Sequence, residues 1–336
     1  MKLLKIIPHF IFCLFISSMA YSQDLHWSQF NANPIFQNPG NTGHFKGDVR
    51  FSGNFRDQWR SVTRPYSTIS LSVDANAPSI KNLGYGMLFF HDVTGDGSLR
   101  TIEVQGNVSY QFKLTNDSTH TIRPGINMGI NHRQLDFNHY YFDNQYDGIA
   151  YNPTLPTNEL LQVDRKTNFS IALGAIYQFY KTERLNFTIG LGAYNLNKPN
   201  QGFYNEVIQR DIRVNLFGKG IYKLNYDWDL LPSFSISTQG KYRELVVGSS
   251  IKYTLINKLG QYRALYGGLW YRNNDAGILS VGMDYQRWFV GLSYDINFSK
   301  LTPASRARGG FEIAIRYILN HFKPKQITHR ICPDYI

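Results

Sequence analysis

With 336 residues, 35 Lys and Arg against 24 Asp and Glu, and 23 Tyr, 23 Phe and 5 Trp, the chain is basic and rich in aromatics. Length alone permits two domains, but no Ser/Gly linker, block of like charge or shift in composition divides it. The cations are spread along the chain rather than gathered with stacking aromatics on one module, which argues against nucleic acid as a partner.

The chain opens with Lys2 and Lys5 ahead of an apolar stretch, 6–16, broken only by Pro8 and His9. Small residues come next, and Ala20-Tyr21-Ser22 places a cleavage site before Gln23. Residues 1–22 therefore read as a secretory signal peptide, too short to anchor the chain. Cys13 leaves with it and Cys332 remains, so neither an internal disulfide nor a cysteine-rich metal site is available. Residues 23–47 are rich in Asn, Pro and Gly, with Trp27, Phe30 and Phe36 as apolar studs. They read as an irregular periplasmic or plug-like segment, tucked into or under a barrel.

From Asp48 onward, apolar and polar residues alternate. Ile102, Val104, Val108, Tyr110 and Phe112 share one face, opposed by Thr101, Glu103, Gln105, Asn107, Ser109, Gln111 and Lys113. Trp288, Val290, Leu292, Tyr294, Ile296 and Phe298 repeat the pattern. A period of two is a strand. These runs exceed the strands of about five to six residues usual in soluble sheets. A strand of about ten residues with one greasy face suits a barrel between lipid and water.

The fold expected over 48–320 is thus all-β: a single transmembrane antiparallel β-barrel of about fourteen strands, outer-membrane type, surrounded by outer-membrane lipid. With a periplasmic N-terminus, long connections such as 136–166 and 196–209 face outward, and short ones such as 77–81 and 224–227 face the periplasm. Glycines inside the strands, Gly84, Gly125 and Gly129 among them, are expected to permit bends and close packing. In the last strand, Arg308-x-Gly310-x-x-Ile313-x-Ile315 fits the loose signal read by barrel-assembly machinery.

The longest connection carries Tyr140, Tyr141, Phe142 and Tyr146, candidates for contact with a protein outside the cell or for packing over the barrel mouth. Asp92, Thr94 and Asp96, with Glu103 at the twelfth position counted from Asp92, follow calcium-loop spacing. No helices are expected around them, and a Gly/Asp turn explains the same residues. No G-x-S-x-G elbow or H-E-x-x-H pair occurs, and the histidines are scattered, so neither an enzyme nor a cofactor is indicated. Expected lumen residues carry both signs, among them Arg50, Arg56, Asp74, Arg123, Glu244, Asp284, Asp295, Glu312 and Arg316. Mixed charge argues against a strongly selective ion pore.

Both ends carry recognisable pieces. His26-Trp27-Ser28-Gln29-Phe30 is followed by Asn33-Pro34, Asn38-Pro39 and Thr42-Gly43, then by Asn54-Phe55-Arg56-Asp57-Gln58-Trp59 and Pro65-Tyr66-Ser67-Thr68. The tail reads Arg330-Ile331-Cys332-Pro333-Asp334-Tyr335. Together these resemble the PorP/SprF family of the type IX secretion and gliding-motility machinery of Bacteroidetes. Gly40 stands where that family usually has Ala, and Asp334 is unlike the basic or apolar residue expected after Pro333.

The resemblance implies a non-enzymatic outer-membrane component whose partners are periplasmic secretion-ring subunits and secreted adhesin cargo. Docking candidates are Trp27 and Phe30, together with Lys323, Lys325, Arg330 and Cys332 of a basic periplasmic tail, 321–336. Both termini are expected in the periplasm. The alternative is an outer-membrane transporter or channel for small molecules, hydrophobic ones included.

Overall fold

The structure, a computed structural model, describes residues 26–58, 60, 64–95, 98–136, 140–157, 164–203, 207–258, 260–299 and 308–320. Fifteen strand segments make one antiparallel sheet: β1 (Val49–Gln58), β2 (Tyr66–Asn76), β3 (Leu83–Thr94), β4 (Leu99–Tyr110), β5 (Phe112–Lys113), β6 (His120–Gln134), β7 (Arg165–Thr182) and β8 (Leu185–Tyr194), then β9 (Arg213–Lys223), β10 (Trp228–Gln239), β11 (Tyr242–Lys258), β12 (Gln261–Arg272), β13 (Ala276–Tyr285), β14 (Trp288–Asn297) and β15 (Arg308–Leu319). The short β5 continues β4 past an interruption at Gln111, and both pair with β6, so the wall is a closed fourteen-stranded barrel. The seam joins the first strand to the last, Val49 opposite Leu319 and Gln58 opposite Gly310. Closure leaves no open edge, as a sheet in lipid requires.

Burial is inverted relative to a soluble sheet. On β2, Ser70 is 1% exposed and Leu71 is 53% exposed, and Ser72 and Asp74 are buried while Ile69 is not. The same holds on β4, where Glu103, Gln105, Asn107 and Ser109 are buried and Val104 and Val108 face out. An apolar exterior around a polar interior is stable only if the exterior meets lipid. Aromatic pairs ring both margins. Trp228–Tyr253 and Trp288–Tyr317, each with ring centroids 4.6 Å apart, stand near the short turns; Tyr271 stacks on Phe298 at 5.8 Å near the long connections.

All fourteen expected strands are present, with small shifts at the ends. The main difference is at Gln111, where the expected continuous strand is interrupted: pairing with β6 stops at Ser109–Gly125 and resumes at Phe112–Ile122, across Pro124, which has no N–H to give.

Candidate functional site: a lumen occupied by the N-terminal segment

Inside the barrel lies the chain's own N-terminal segment, from His26 to Gly47. Its sequence cannot continue a ladder: Pro34 and Pro39 each sit in the first turn of a short helical piece, where the missing N–H costs nothing. The result is a 3-10 turn at Phe30–Ala32, a single helical turn at Pro34–Gln37 and a second 3-10 turn at Pro39–Asn41. Asn38 caps the last of these, its Oδ1 accepting from Gly40 N–H at 2.8 Å.

Ser28 anchors the segment near the long-connection end. Its N–H donates to Glu312 Oε2 at 2.8 Å and its hydroxyl to Asp295 Oδ1 at 2.6 Å. That hydroxyl also accepts from Arg56 and, at 2.8 Å, from Arg272 Nη2. Gln29 N–H adds a 3.0 Å bond to Glu312 Oε1. The four charges also pair directly: Arg56 with Glu312 at 3.0 Å and with Asp295 at 2.8 Å, and Arg272 with Asp295 at 2.9 Å. All four are buried, and a buried charge is tolerated only when paired and hydrogen-bonded in this way.

At the short-turn end, Gly43 N–H donates to Asp74 Oδ2 at 2.7 Å. Arg50 grips the same carboxylate with two nitrogens, at 2.7 and 2.9 Å, and donates to the Asn41 carbonyl. Arg123 and Ser109 both donate to the Thr42 carbonyl. Between the clamps, Tyr194 OH donates to the Gln37 carbonyl at 2.6 Å, and the Arg213 guanidinium stacks over both Tyr194 and Phe36.

Glycines on the wall mark where the segment touches it. A Cβ on Gly125 would stand 2.5 Å from the Pro39 carbonyl, and one on Gly84 2.5 Å from the Thr42 carbonyl oxygen. At these two positions glycine makes room for the segment rather than for a bend. Gly40 has a local reason too, since a Cβ there would lie 2.5 Å from the Arg123 carbonyl oxygen.

Burial sets the charge of the segment's two histidines. His26 is held well below the usual histidine range by desolvation and then by Arg272 and Arg56. It is therefore neutral, and its 3.6 Å approach to Glu244 is not an ion pair. His44 is lowered likewise by burial, then by Lys219, Arg123 and Arg50.

Below the segment, the short-turn end opens as a vestibule of about 1500 Å³. Among the described residues, Lys46, Lys81, Arg123, Arg184, Lys252 and Lys258 line it with Glu183 and Asp227, and buried Asp229 pairs with Arg184 and Lys252.

The structure moves several sequence candidates. Trp27 and Phe30, expected as docking studs, are 3% and 8% exposed. Trp27 packs edge-on to Phe36 and Phe30 packs with Val246 and Ile278, so the surface they would offer a partner is already covered. The chain enters the described structure at the long-connection end and leaves β15 at the short-turn end. Positions 26 and 320 therefore lie at opposite ends of the barrel, because 26–47 runs the length of the lumen; the two termini themselves lie outside the described residues.

Asp92 accepts from Thr68 and Thr94, whereas Glu103 sits in a separate buried network with Gln105, Asn131 and Arg210. Asp96 lies outside the described residues, as do Lys323, Lys325, Arg330 and Cys332. No group of three His, Cys, Asp or Glu among the described residues is placed to hold a metal. Tyr140, Tyr141, Phe142 and Tyr146 stay on the longest connection. Tyr141 is 80% exposed and its ring lies 4.7 Å from Tyr151, and Ile149 at the tip is 90% exposed.

Sequence reasoning missed Arg272 and Ser28. The parity of β12 was the available signal for Arg272, which falls on the inward side with Tyr266 and Trp270. Ser28 lies in aperiodic sequence, where parity is silent, and its place in the opening motif was the available signal.

An apolar outer face, a polar inner face and a lumen holding its own N-terminal segment define a plugged outer-membrane β-barrel. Two solved barrels are similar in fold: the Ralstonia pickettii toluene transporter TbuX and the Pseudomonas putida toluene transporter TodX. TbuX is 11% identical over 86% of this chain and 94% of its own, with a TM-score of 0.52. TodX is 9% identical over 88% and 94%, with a TM-score of 0.51. The family profile described as type IX secretion system membrane protein PorP/SprF matches residues 19–317, and the chain belongs to that family. No curated protein matches it. The residues of its opening motif, Ser28, Gln29, Asn38 and Gly43, together with Arg56, are among those that seat the segment.

Proposed function

We propose that this barrel is a non-enzymatic component of type IX secretion that works by protein–protein contact. Its short-turn rim docks periplasmic ring subunits, and its long connections support secretion or surface attachment of adhesin cargo. The occupied lumen carries this reading: the inward-facing charges of two clusters, Arg56, Arg272, Asp295 and Glu312 at one end and Arg50 and Asp74 at the other, hold the chain's own segment, which leaves the two rims as the working surfaces.

In this reading the short turns lie in the periplasm, as is usual for bacterial barrels. Lys81, Lys113, Lys181, Lys223, Lys258 and Arg287 are exposed on that rim around the basic vestibule, which suits an acidic partner. The chain leaves β15 at the same rim, ahead of the residues that include Lys323, Lys325 and Arg330. On the opposite side, Tyr141, Tyr146 and Ile149 offer apolar area with few charges, a surface for exported cargo.

A crosslinking pull-down from native outer membranes tests this. The full chain is compared with one lacking 321–336 and with a Lys81→Glu, Lys113→Glu, Lys258→Glu variant. Ring subunits or an adhesin should come with the full chain and be lost or reduced with at least one variant. Recovery of neither from any of the three overturns the reading.

A further inference from the structure

Beside the N-terminal segment the lumen keeps a second space, a cavity of about 380 Å³. That is within the usual size of a small-molecule site. Five aromatic rings stand on its walls, Phe30 and Phe45 from the segment and Tyr266, Trp270 and Phe289 from the barrel, among polar residues such as Gln178, Asn186 and Ser250. Lys219 reaches it from β9, between its register partners Thr188 and Ser233, which line the same space.

The charge on Lys219 is not answered. The other two cations on the cavity have carboxylates, Arg50 with Asp74 at 2.7 Å and Arg316 with Asp284 at 3.6 Å. Among the described residues no carboxylate pairs with Lys219, whose ammonium lies 5.9 Å from the Phe217 ring. An inward ammonium with no carboxylate partner, in a cavity that also holds five aromatic rings, is an incomplete site for an anion.

The ladder beside it lacks two pairs. The β9–β10 ladder pairs Asp229 with Lys223 and Leu230 with Tyr222, then resumes only at Ser233 and Lys219. The skipped residues are Gly220 and Ile221 on one strand and Leu231 and Pro232 on the other, and all four line the cavity. Pro232 has no N–H to give. The ladder is thus interrupted next to Lys219, on a wall that faces the bilayer.

We propose that this cavity binds a single-chain amphiphilic carboxylate, a free fatty acid of the surrounding membrane. The carboxylate pairs with Lys219 and the chain lies against Phe30, Trp270 and Phe289. This goes beyond the docking role, which requires no ligand.

The test uses the full chain in phosphatidylcholine nanodiscs and radiolabelled decanoic acid, with empty nanodiscs as background. Saturable binding near one per barrel is expected, with decanol and decylamine failing to compete. Lys219→Met should weaken binding at least tenfold and Lys219→Arg should retain it. Ser250→Phe, which fills the cavity from β11 and leaves Lys219 in place, should also lose it. Each variant is first shown to be a folded barrel by its heat-modifiable migration. No saturable binding, equal competition by decanol, or full binding by Lys219→Met or by Ser250→Phe overturns the proposal.

Discussion

Arg56 and Glu312 are register partners across the seam between the first and last strands, and their side chains meet at 3.0 Å inside the lumen. The same glutamate accepts the N–H groups of Ser28 and Gln29. The barrel seam and the start of the segment therefore meet at one carboxylate.

Arg56→Ala leaves Asp295 and Glu312 buried with their strongest shared partner gone. The expected loss is about 3–5 kcal/mol, the usual cost of breaking a buried pair from one side. The midpoint of urea unfolding measures it. Arg56→Lys should fall between, because an ammonium cannot span both carboxylates as a planar fork does.

Gly125→Val tests the close approach of wall and segment. Its Cβ would meet the backbone of Pro39, which cannot swing aside as a flexible side-chain tip can. We expect the barrel to form with a penalty of about 1–3 kcal/mol, typical of overpacking. Hydrogen exchange should show amide protection falling across 33–43 while β2 and β3 stay protected.

Seating of the segment should weaken in acid. His26 and His44 are neutral when seated, whereas in a released segment each titrates near the ordinary value of 6.5. As pH falls below 6.5 the released form takes up protons that the seated form refuses, so seating loses stability. The loss approaches about 1.4 kcal/mol per histidine per pH unit until the seated pKa is reached. Hydrogen exchange of 26–44 at pH 7.5 and pH 5, corrected for intrinsic rates, should show this. The variant His26→Gln, His44→Gln should flatten the difference.

Deleting residues 26–41 removes the lumen's contents and leaves the strands. In planar bilayers the full chain should show little conductance and the deletion clear steps. Equal conductance would mean that the segment does not restrict passage.

Tyr141→Ser with Ile149→Ser changes exposed side chains only, so stability should move by no more than about 0.5 kcal/mol. Surface display of the cargo adhesin, measured by whole-cell immunofluorescence, should fall if that connection meets cargo.

The wall of this barrel was legible because lipid and water impose opposite demands on alternate residues, and β2 and β14 show that alternation almost without exception. The same parity placed Arg50, Asp74, Asp295 and Glu312 inside. It was silent on which of them meet, because Ser28 joins charges from four strands through bonds that leave no period. Trp27 and Phe30 illustrate the remaining difficulty. A large apolar side chain in an irregular segment reads the same whether it waits for a partner or is already buried against its own barrel.

The long separation in sequence between the two halves of the Ser28 clamp bears on assembly. Ser28 is near the start of the chain, yet its bond to Glu312 spans 284 positions. Contacts so distant in sequence form late. Arg56 arrives early, but Arg272, Asp295 and Glu312 lie in the last four strands. The Ser28 clamp can be completed only when the final strand has joined the first, so its completion reports that the barrel is complete. A chain cut short before β15 would keep most of its wall and the clamp on residues 41–43, but would lose the carboxylate that receives the N–H groups of Ser28 and Gln29.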